Sequence, residues 1–158
     1  MSKKKYSNII FIDNSLKEPK TILDALNEET LGMIYSYEIT YETIMEILEK
    51  RVDKIQRMGI YFHEGVNLFL ENNSIFNKKS VLFLKEIVTK YKIEELDFFS
   101  CSTLKFKIWR KFYETLSKLI PNVQINALKD QSGKMWSIEN NKKQSGIETM
   151  YFGEKNVK

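Results

Sequence analysis

Residues 58–63 read MGIYFH and residues 96–101 read LDFFSC, and these two apolar runs decide the fold. Short, continuously apolar runs are typical of strands that are covered on both faces, as in a parallel sheet. Each run ends on a residue type that occurs once in the chain, because His63 is the only histidine and Cys101 the only cysteine. One helix-like segment separates the runs, so we expect neighbouring parallel strands whose imidazole and thiol meet at one edge of the sheet.

Strand and helix patterns alternate along the rest of the chain. Ile44, Leu48 and Val52 recur at four-residue spacing, which is typical of an amphipathic helix, and Thr40 is placed to cap that helix. The predicted strands cover 8–13, 31–37, 58–62, 96–100 and 123–128, with a further short strand at 66–70, and the predicted helices cover 19–27, 43–55, 79–91 and 104–120.

The order of these elements predicts the architecture. Strand and helix alternate with short connections, which favours an α/β fold: a three-layer sandwich with helices flanking a mostly parallel open sheet of about five to six strands. Two further strands, at 134–139 and 147–152, are predicted to form a C-terminal β-hairpin. We expect one domain over residues 8–153, with flexible tails at 1–7 and 154–158.

The charge of the chain argues against nucleic-acid binding. Its 25 Lys and Arg are set against 21 Asp and Glu, which gives a net charge of +4 in a chain that is 42% hydrophobic. A nucleic-acid binder more often shows a concentrated basic stripe, whereas lysines cluster here only at Lys3-Lys4-Lys5 and Lys142-Lys143. We therefore expect no nucleic-acid partner.

The cysteine count and the N-terminal residues bear on the compartment. A lone cysteine excludes an internal disulfide and a multi-cysteine zinc site, which suits a reducing compartment. The apolar run at 9–12 is too short for a signal peptide or a membrane span. We expect an intracellular, cytoplasmic protein with no membrane association.

The predicted meeting of His63 and Cys101 suggests a thiol hydrolase. An imidazole can favour the thiolate or accept its proton as general base. Backbone N–H groups around Gly65 and Cys101 could hold the oxyanion of a tetrahedral intermediate. The alternative interpretation is that Cys101 is a small buried hydrophobe and His63 a polar strand end.

Other chemistries at the same edge fit the sequence less well. A phosphoacceptor domain would have an aspartate where His63 stands, although Asp13, Ser102 and Lys129 match its other positions. Dinucleotide binding requires glycines at the first turn, and no glycine-rich loop followed by lysine is present, so we expect no cofactor. A metal site would have to rely on His63, Cys101 and carboxylates such as Glu64, and we expect none.

Taken together, the motifs resemble the caspase-like cysteine peptidases, the group that includes caspases, metacaspases, legumain and the gingipains. More closely, the chain is similar to a caspase-like domain family found at the start of large bacterial surface proteins. The matching segments, spread over about residues 8–139, are IFID at 10–13, IYFHEG at 60–65, FFSCS at 98–102 and ALKDQSG at 127–133, which leads into WSIE at 136–139.

The resemblance implies a cysteine endopeptidase with His63 as general base, Cys101 as nucleophile and the amides of Gly65 and Cys101 as oxyanion hole. It also implies that Asp13, at the end of the first strand, selects a basic residue before the cleaved bond. Asp130 would be a further wall of the groove that holds the polypeptide substrate.

The sequence also departs from the family. Glu64 stands between His63 and Gly65, where the family usually has glycine directly after histidine. The alternative function is therefore a catalytically inactive caspase-like domain that acts as a structural or protein-binding subunit.

Overall fold

The computed structural model describes residues 5–62, 68–99, 107–128, 135–137, 142–144 and 147–153. Strands and helices alternate through most of these ranges, and a 3₁₀ turn lies at Leu70–Asn72. In chain order the elements are β1 (Asn8–Asp13), α1 (Pro19–Asp24), β2 (Thr30–Tyr35), α2 (Tyr41–Arg51), β3 (Arg57–Tyr61), α3 (Lys78–Tyr91), β4 (Glu95–Phe99), α4 (Lys107–Leu119), β5 (Gln124–Leu128), β6 (Met135–Ser137), β7 (Lys142–Gln144) and α5 (Ile147–Tyr151).

The strands form one sheet in the order β2-β1-β3-β4-β5-β6-β7. Among the described strands, β1 to β5 are parallel to one another, whereas β6 and β7 pair in antiparallel fashion. Parallel neighbours require crossover connections, and α1, α2, α3 and α4 each lie in one of them. The predicted α/β fold, with helices flanking a mostly parallel sheet, is confirmed.

Alternate side chains of each strand enter two different cores, one on each face of the sheet. The larger core packs the sheet against α2, α3 and α4, and its fully buried members include Phe11, Leu48, Ile60, Leu84 and Leu116. The smaller core, on the other face, contains buried residues of β1, β4 and α5 and the partly buried Leu23 of α1. The buried residues include Ile10, Ile12, Phe99, Ile147 and Tyr151. The two faces are therefore covered very unequally, by three long helices and by two short ones.

Side-chain caps begin two of the long helices. The Thr40 hydroxyl accepts a hydrogen bond of 3.1 Å from the Thr43 N–H at the start of α2. The Asn77 side chain does the same for the Lys79 N–H at 2.8 Å at the start of α3. Each cap satisfies a backbone donor that has no partner within its helix, and the first confirms the predicted role of Thr40.

The C-terminal hairpin is not confirmed, and its predicted second strand at 147–152 is wrong. Residues Ile147–Tyr151 instead form helix α5, and both of its end residues are buried. The Asn27 N–H donates to the Tyr151 carbonyl at 2.8 Å, and the Asn8 side chain donates to the Met150 carbonyl at 2.6 Å. These long-range hydrogen bonds satisfy the carbonyls at the end of α5, and local sequence spacing does not reveal them.

The predicted short strand at 66–70 is also wrong where the structure describes it. Leu70 begins the 3₁₀ turn, and Leu68 makes only an isolated bridge to Ser74. Phe69 and Leu70 are fully buried. Their apolar character reflects packing into the larger core rather than pairing in the sheet.

Gly59 lies in the middle of β3, at the place where Tyr151 covers the strand. A Cβ atom there would stand 3.0 Å from Cε2 of Phe99 and 3.2 Å from both Cζ and the hydroxyl oxygen of Tyr151. The absence of a side chain at this position allows α5 to approach the sheet closely.

We expect Gly59→Ala to lower the free energy of unfolding by about 1–3 kcal/mol, because an added methyl overpacks a rigid aromatic contact. Urea unfolding of the variant measures this loss. The matched variants are Tyr151→Leu and the double variant Gly59→Ala, Tyr151→Leu. Since leucine vacates the space that the methyl would enter, the double change should cost less than the two single changes together. Strictly additive costs would contradict this account of Gly59.

Candidate functional site

The carboxyl ends of β1 to β5 form one edge of the sheet, which we call the carboxyl edge. The chain passes from β1 to β2 on one side and then returns to place β3 on the other side of β1. In open parallel sheets, ligands bind outside the carboxyl ends of the strands where the order reverses in this way. A functional site is therefore expected at the carboxyl ends of β1 and β3.

Asp13 ends β1 at this switch point, and its carboxylate is held on both oxygens. Oδ1 accepts a hydrogen bond of 2.8 Å from the Ser15 N–H, and Oδ2 accepts one of 2.9 Å from the Tyr37 hydroxyl. The Ser15 and Tyr37 hydroxyls also lie 2.7 Å apart. The side chain is only 1% exposed. The structure therefore fixes one carboxylate, in a defined orientation, at the edge where the sequence predicted it.

Two tyrosines beside Asp13 remain in their neutral form. Tyr35 pairs with Asp13 across the β1–β2 ladder and is fully buried. Burial raises the pKa of Tyr35, and the negative charge of Asp13 raises it further. Burial is also the main cause that raises the pKa of Tyr37. Both phenols keep their protons at neutral pH, which allows Tyr37 to act as a donor to Asp13.

Aromatic rings hold the ends of β3 and β4 on both faces of the sheet. On one face, the rings of Tyr61 and Phe99 stack at 5.6 Å between centroids, with 10° between their planes. On the other face, Phe62 stacks on Trp109 at 5.4 Å. The Phe62 N–H also donates to the Phe99 carbonyl at 3.4 Å, one residue beyond the end of β3. The two strands are thus held together up to their last described residues.

Most of the predicted site residues lie outside the described residues. These are His63 and Gly65 after β3, Cys101 after β4, and Asp130 after β5. Glu64 lies outside them as well. Asp13 is the predicted site residue that falls within the described ranges, and the structure places it at the carboxyl edge as expected.

A second polar cluster, which the sequence reasoning missed, is centred on Asp97 in the middle of β4. Asp97 is fully buried, and its carboxylate accepts hydrogen bonds from Arg57 at 3.0 Å, Asn126 at 2.7 Å and Tyr151 at 2.6 Å. Arg57 also forms an ion pair with Glu95. We call these five residues the Asp97 network. It links β3, β4, β5 and α5 through one carboxylate.

The electrostatics of the Asp97 network reflect its burial. Burial raises the pKa of Asp97, while the Arg57 charge and the hydrogen bonds from Tyr151 and Asn126 oppose that shift. Burial also raises the pKa of Tyr151 well above its ordinary value, and the nearby Asp97 adds to this shift. Asp97, Arg57 and Asn126 are at most 6% exposed. Such a closed, mutually satisfied set suits a structural role rather than substrate turnover.

The sequence did contain a signal for this network. Asp97 interrupts an otherwise apolar run, Leu96-Asp97-Phe98-Phe99, and a carboxylate in a strand covered on both faces requires a buried partner. Arg57, immediately before the run at 58–62, is a cation on the neighbouring strand, two residues before Gly59, which pairs with Asp97. The pairing of β3 with β4 would have suggested that the two charges meet.

No group of three or more His, Cys, Asp or Glu side chains among the described residues could hold a metal ion. None of the helices in the described ranges is long and apolar enough to cross a membrane.

Comparisons of the chain with protein-family models, with curated proteins and with solved structures gave no match. Function is therefore inferred from the residues of this chain alone.

The raised pKa of Tyr151 predicts a specific loss of stability in alkali. The folded state holds the phenolic proton above pH 10, where the unfolded state releases it, so the stability present below pH 10 is lost as the pH rises. This tyrosine contributes a slope of about 1.4 kcal/mol per pH unit over that range. We expect Tyr151→Phe to be less stable at pH 7, where its hydrogen bond is missing, and to lose stability less steeply above pH 10. Urea unfolding from pH 7 to 11.5 measures both effects, and parallel curves for the two proteins would contradict the assignment.

Proposed function

We propose that the chain is a caspase-like cysteine endopeptidase domain in which His63 is the general base and Cys101 the nucleophile. The observation that carries the proposal is the register of β3 against β4. Tyr61 is paired with Phe99, and every other pair in the ladder keeps the same separation along the chain. His63 and Cys101 have that separation too, each two residues further on. The same register, continued by two residues, would set the imidazole opposite the thiol.

The alternation of side chains along the two strands supports the pairing of His63 with Cys101 as well. Successive side chains of a strand point to opposite faces, so residues two apart share a face. Both His63 and Cys101 are two positions beyond residues whose rings stack on one face, Tyr61 and Phe99. A regular continuation of the two strands would direct the imidazole and the thiol to that same face.

The proposed reaction is hydrolysis of a peptide bond in two steps. The imidazole of His63 accepts the thiol proton of Cys101, and the thiolate attacks the substrate carbonyl carbon. The backbone N–H groups of Gly65 and Cys101 stabilise the resulting oxyanion. The imidazolium then protonates the departing amine, and a water molecule, deprotonated by the same imidazole, hydrolyses the thioester and restores the thiol.

The proposed substrate groove runs along the carboxyl edge, with Asp13 and Asp130 as its acidic walls. Asp13 supports a preference for a basic residue before the cleaved bond, because its carboxylate is fixed at the switch point by Ser15 and Tyr37. Its burial means that it would act on the substrate mainly through its charge. Asp13→Asn should then reduce the preference for lysine and arginine, whereas Tyr37→Phe, which keeps the carboxylate, should reduce it less.

The experiment that tests the proposal is cleavage of a fluorogenic peptide library with every residue type before the scissile bond. We expect turnover that falls by about 10³-fold or more in Cys101→Ala and in His63→Ala, because removal of either partner disables the nucleophile. Thr89→Ala, on the exposed surface of α3, is the matched control and should retain full activity.

Alkylation of Cys101 by a peptide with a thiol-directed warhead gives a second readout that does not require turnover. In the active enzyme the imidazole favours the thiolate and extends the reaction to lower pH, whereas in His63→Ala the rate should rise with pH as it does for an ordinary thiol. If no library member is cleaved and Cys101 reacts like an ordinary thiol in both proteins, the peptidase proposal fails. The inactive structural or protein-binding domain then takes its place.

A further inference from the structure

A groove of about 780 Å³ runs between α3 and α4, on the outer surface of the larger core. Its floor is formed by buried side chains, Val81 and Phe112, together with the half-buried Phe76. The rings of Phe76 and Phe112 meet edge to face at 5.3 Å between centroids. The floor is therefore a rigid apolar surface that belongs to the core itself.

The walls of the groove hold two exposed large hydrophobic side chains. Leu82 is 46% exposed and Ile108 is 51% exposed, and both line the groove. In the part of the chain that the structure describes, Met150 is the other large hydrophobic residue with comparable exposure. A concentration of exposed apolar side chains over an apolar floor marks an interaction surface rather than ordinary exposure.

The rim of the groove is positively charged. Lys78, Lys111 and Lys118 line it, and Glu114 is the acidic residue among the lining residues. None of these four side chains is in an ion pair within the described ranges. An apolar centre with a rim of net positive charge is complementary to an apolar ridge with acidic flanks.

The helix ends add to this positive potential. The first turns of α3 and α4 contain no acidic residue and instead carry lysines, among them Lys78 and Lys107. The amide groups at a helix N-terminus already carry partial positive charge, so these lysines are placed unfavourably. Acidic groups of a partner bound nearby would relieve that repulsion.

We propose that this groove is the docking site for an amphipathic helix of another protein, with an apolar ridge flanked by glutamate or aspartate. The groove lies between two helices, a surface into which a third helix packs readily. Its lining on α4 extends from Ile108 to Leu119, which is about 16 Å or three helical turns. The bound helix would then insert apolar residues spaced by three or four positions.

Two other occupants fit the groove less well. A second copy of the chain in a symmetric dimer would bring the same lysine rim against itself, because a two-fold interface is self-complementary. A membrane surface is flat, whereas here the most apolar atoms form the floor of a concave groove. The proposal is independent of the peptidase activity, since none of its residues belongs to the proposed catalytic pair.

The probe is a displayed library of 16-residue helical peptides with a fixed leucine ridge and flanking positions randomised among Glu, Lys and Ser. We expect selection on the wild-type chain to enrich glutamate at the flanks. Selection on a Lys111→Glu, Lys118→Glu variant should enrich lysine instead. The enriched acidic peptide, labelled with fluorescein, should bind at least about tenfold more weakly to a Leu82→Ser, Ile108→Ser variant, because two apolar anchors are removed.

Matched controls separate the groove from general surface effects. Met150→Ser removes the exposed hydrophobic residue on α5, and Lys50→Glu reverses a charge on the exposed side of α2. Both should bind the acidic peptide like the wild-type chain. Thermal unfolding of every variant establishes that it is folded. We expect all of them to fold, because the substituted groove residues are exposed.

Several results would overturn the proposal. The first is enrichment of peptides without a preference for charge at the flanking positions. The second is enrichment of acidic peptides on the Leu82→Ser, Ile108→Ser variant equal to that on the wild-type chain. The third is no enrichment of any peptide. Binding to vesicles of anionic phospholipid that is lost in the same variant, without peptide enrichment, would assign the surface to membranes. Self-association that is lost in this variant, measured by sedimentation, would assign it to a second copy.

Discussion

The fold depends on one buried carboxylate, that of Asp97 in the centre of β4. An ionised group inside a protein costs several kcal/mol unless partners surround it. Here the partners come from three other elements, with Arg57 on β3, Asn126 on β5 and Tyr151 on α5. The carboxylate is therefore stable only when all of these elements are in place. The short helix α5 is fixed to the sheet by the Tyr151–Asp97 hydrogen bond, together with the burial of Ile147 and Tyr151 in the smaller core and the hydrogen bonds from Asn8 and Asn27.

On the face that carries the Asp97 network, the two ends of the sheet differ in the kind of residue they carry. A polar row crosses the amino ends of the strands, through Thr30, Asn8, Arg57, Glu95 and Gln124. At the carboxyl ends of β3 and β4, that face instead carries the stacked rings of Tyr61 and Phe99. This polar row thus lies at the end of the sheet opposite to the edge where parallel sheets bind ligands.

The sequence predicted the elements whose signal is local and missed those that depend on distant contacts. The spacing of Ile44 and Leu48 predicted α2, and the apolar run at 58–62 predicted β3 to within one residue. Residues 147–152, by contrast, were predicted as a strand, because a single turn of helix has too few residues to show a period. The bonds from Asn8 and Asn27 that hold it span most of the chain. At the candidate site, Asp13 could be predicted because it directly follows an apolar run, whereas Tyr37 could not be predicted as its donor.

The two buried acids of the described strands, Asp13 and Asp97, differ in their partners and in their position along the strands. Asp97 faces a cation and two further donors in the interior, and any change in its charge would disturb four elements at once. Asp13 accepts hydrogen bonds from two neutral groups, the Ser15 N–H and the Tyr37 hydroxyl, at the end of its strand. Of the two, only Asp13 lies beside the strand end that leads to His63, which is why the carboxyl edge rather than the Asp97 network is assigned the proposed activity.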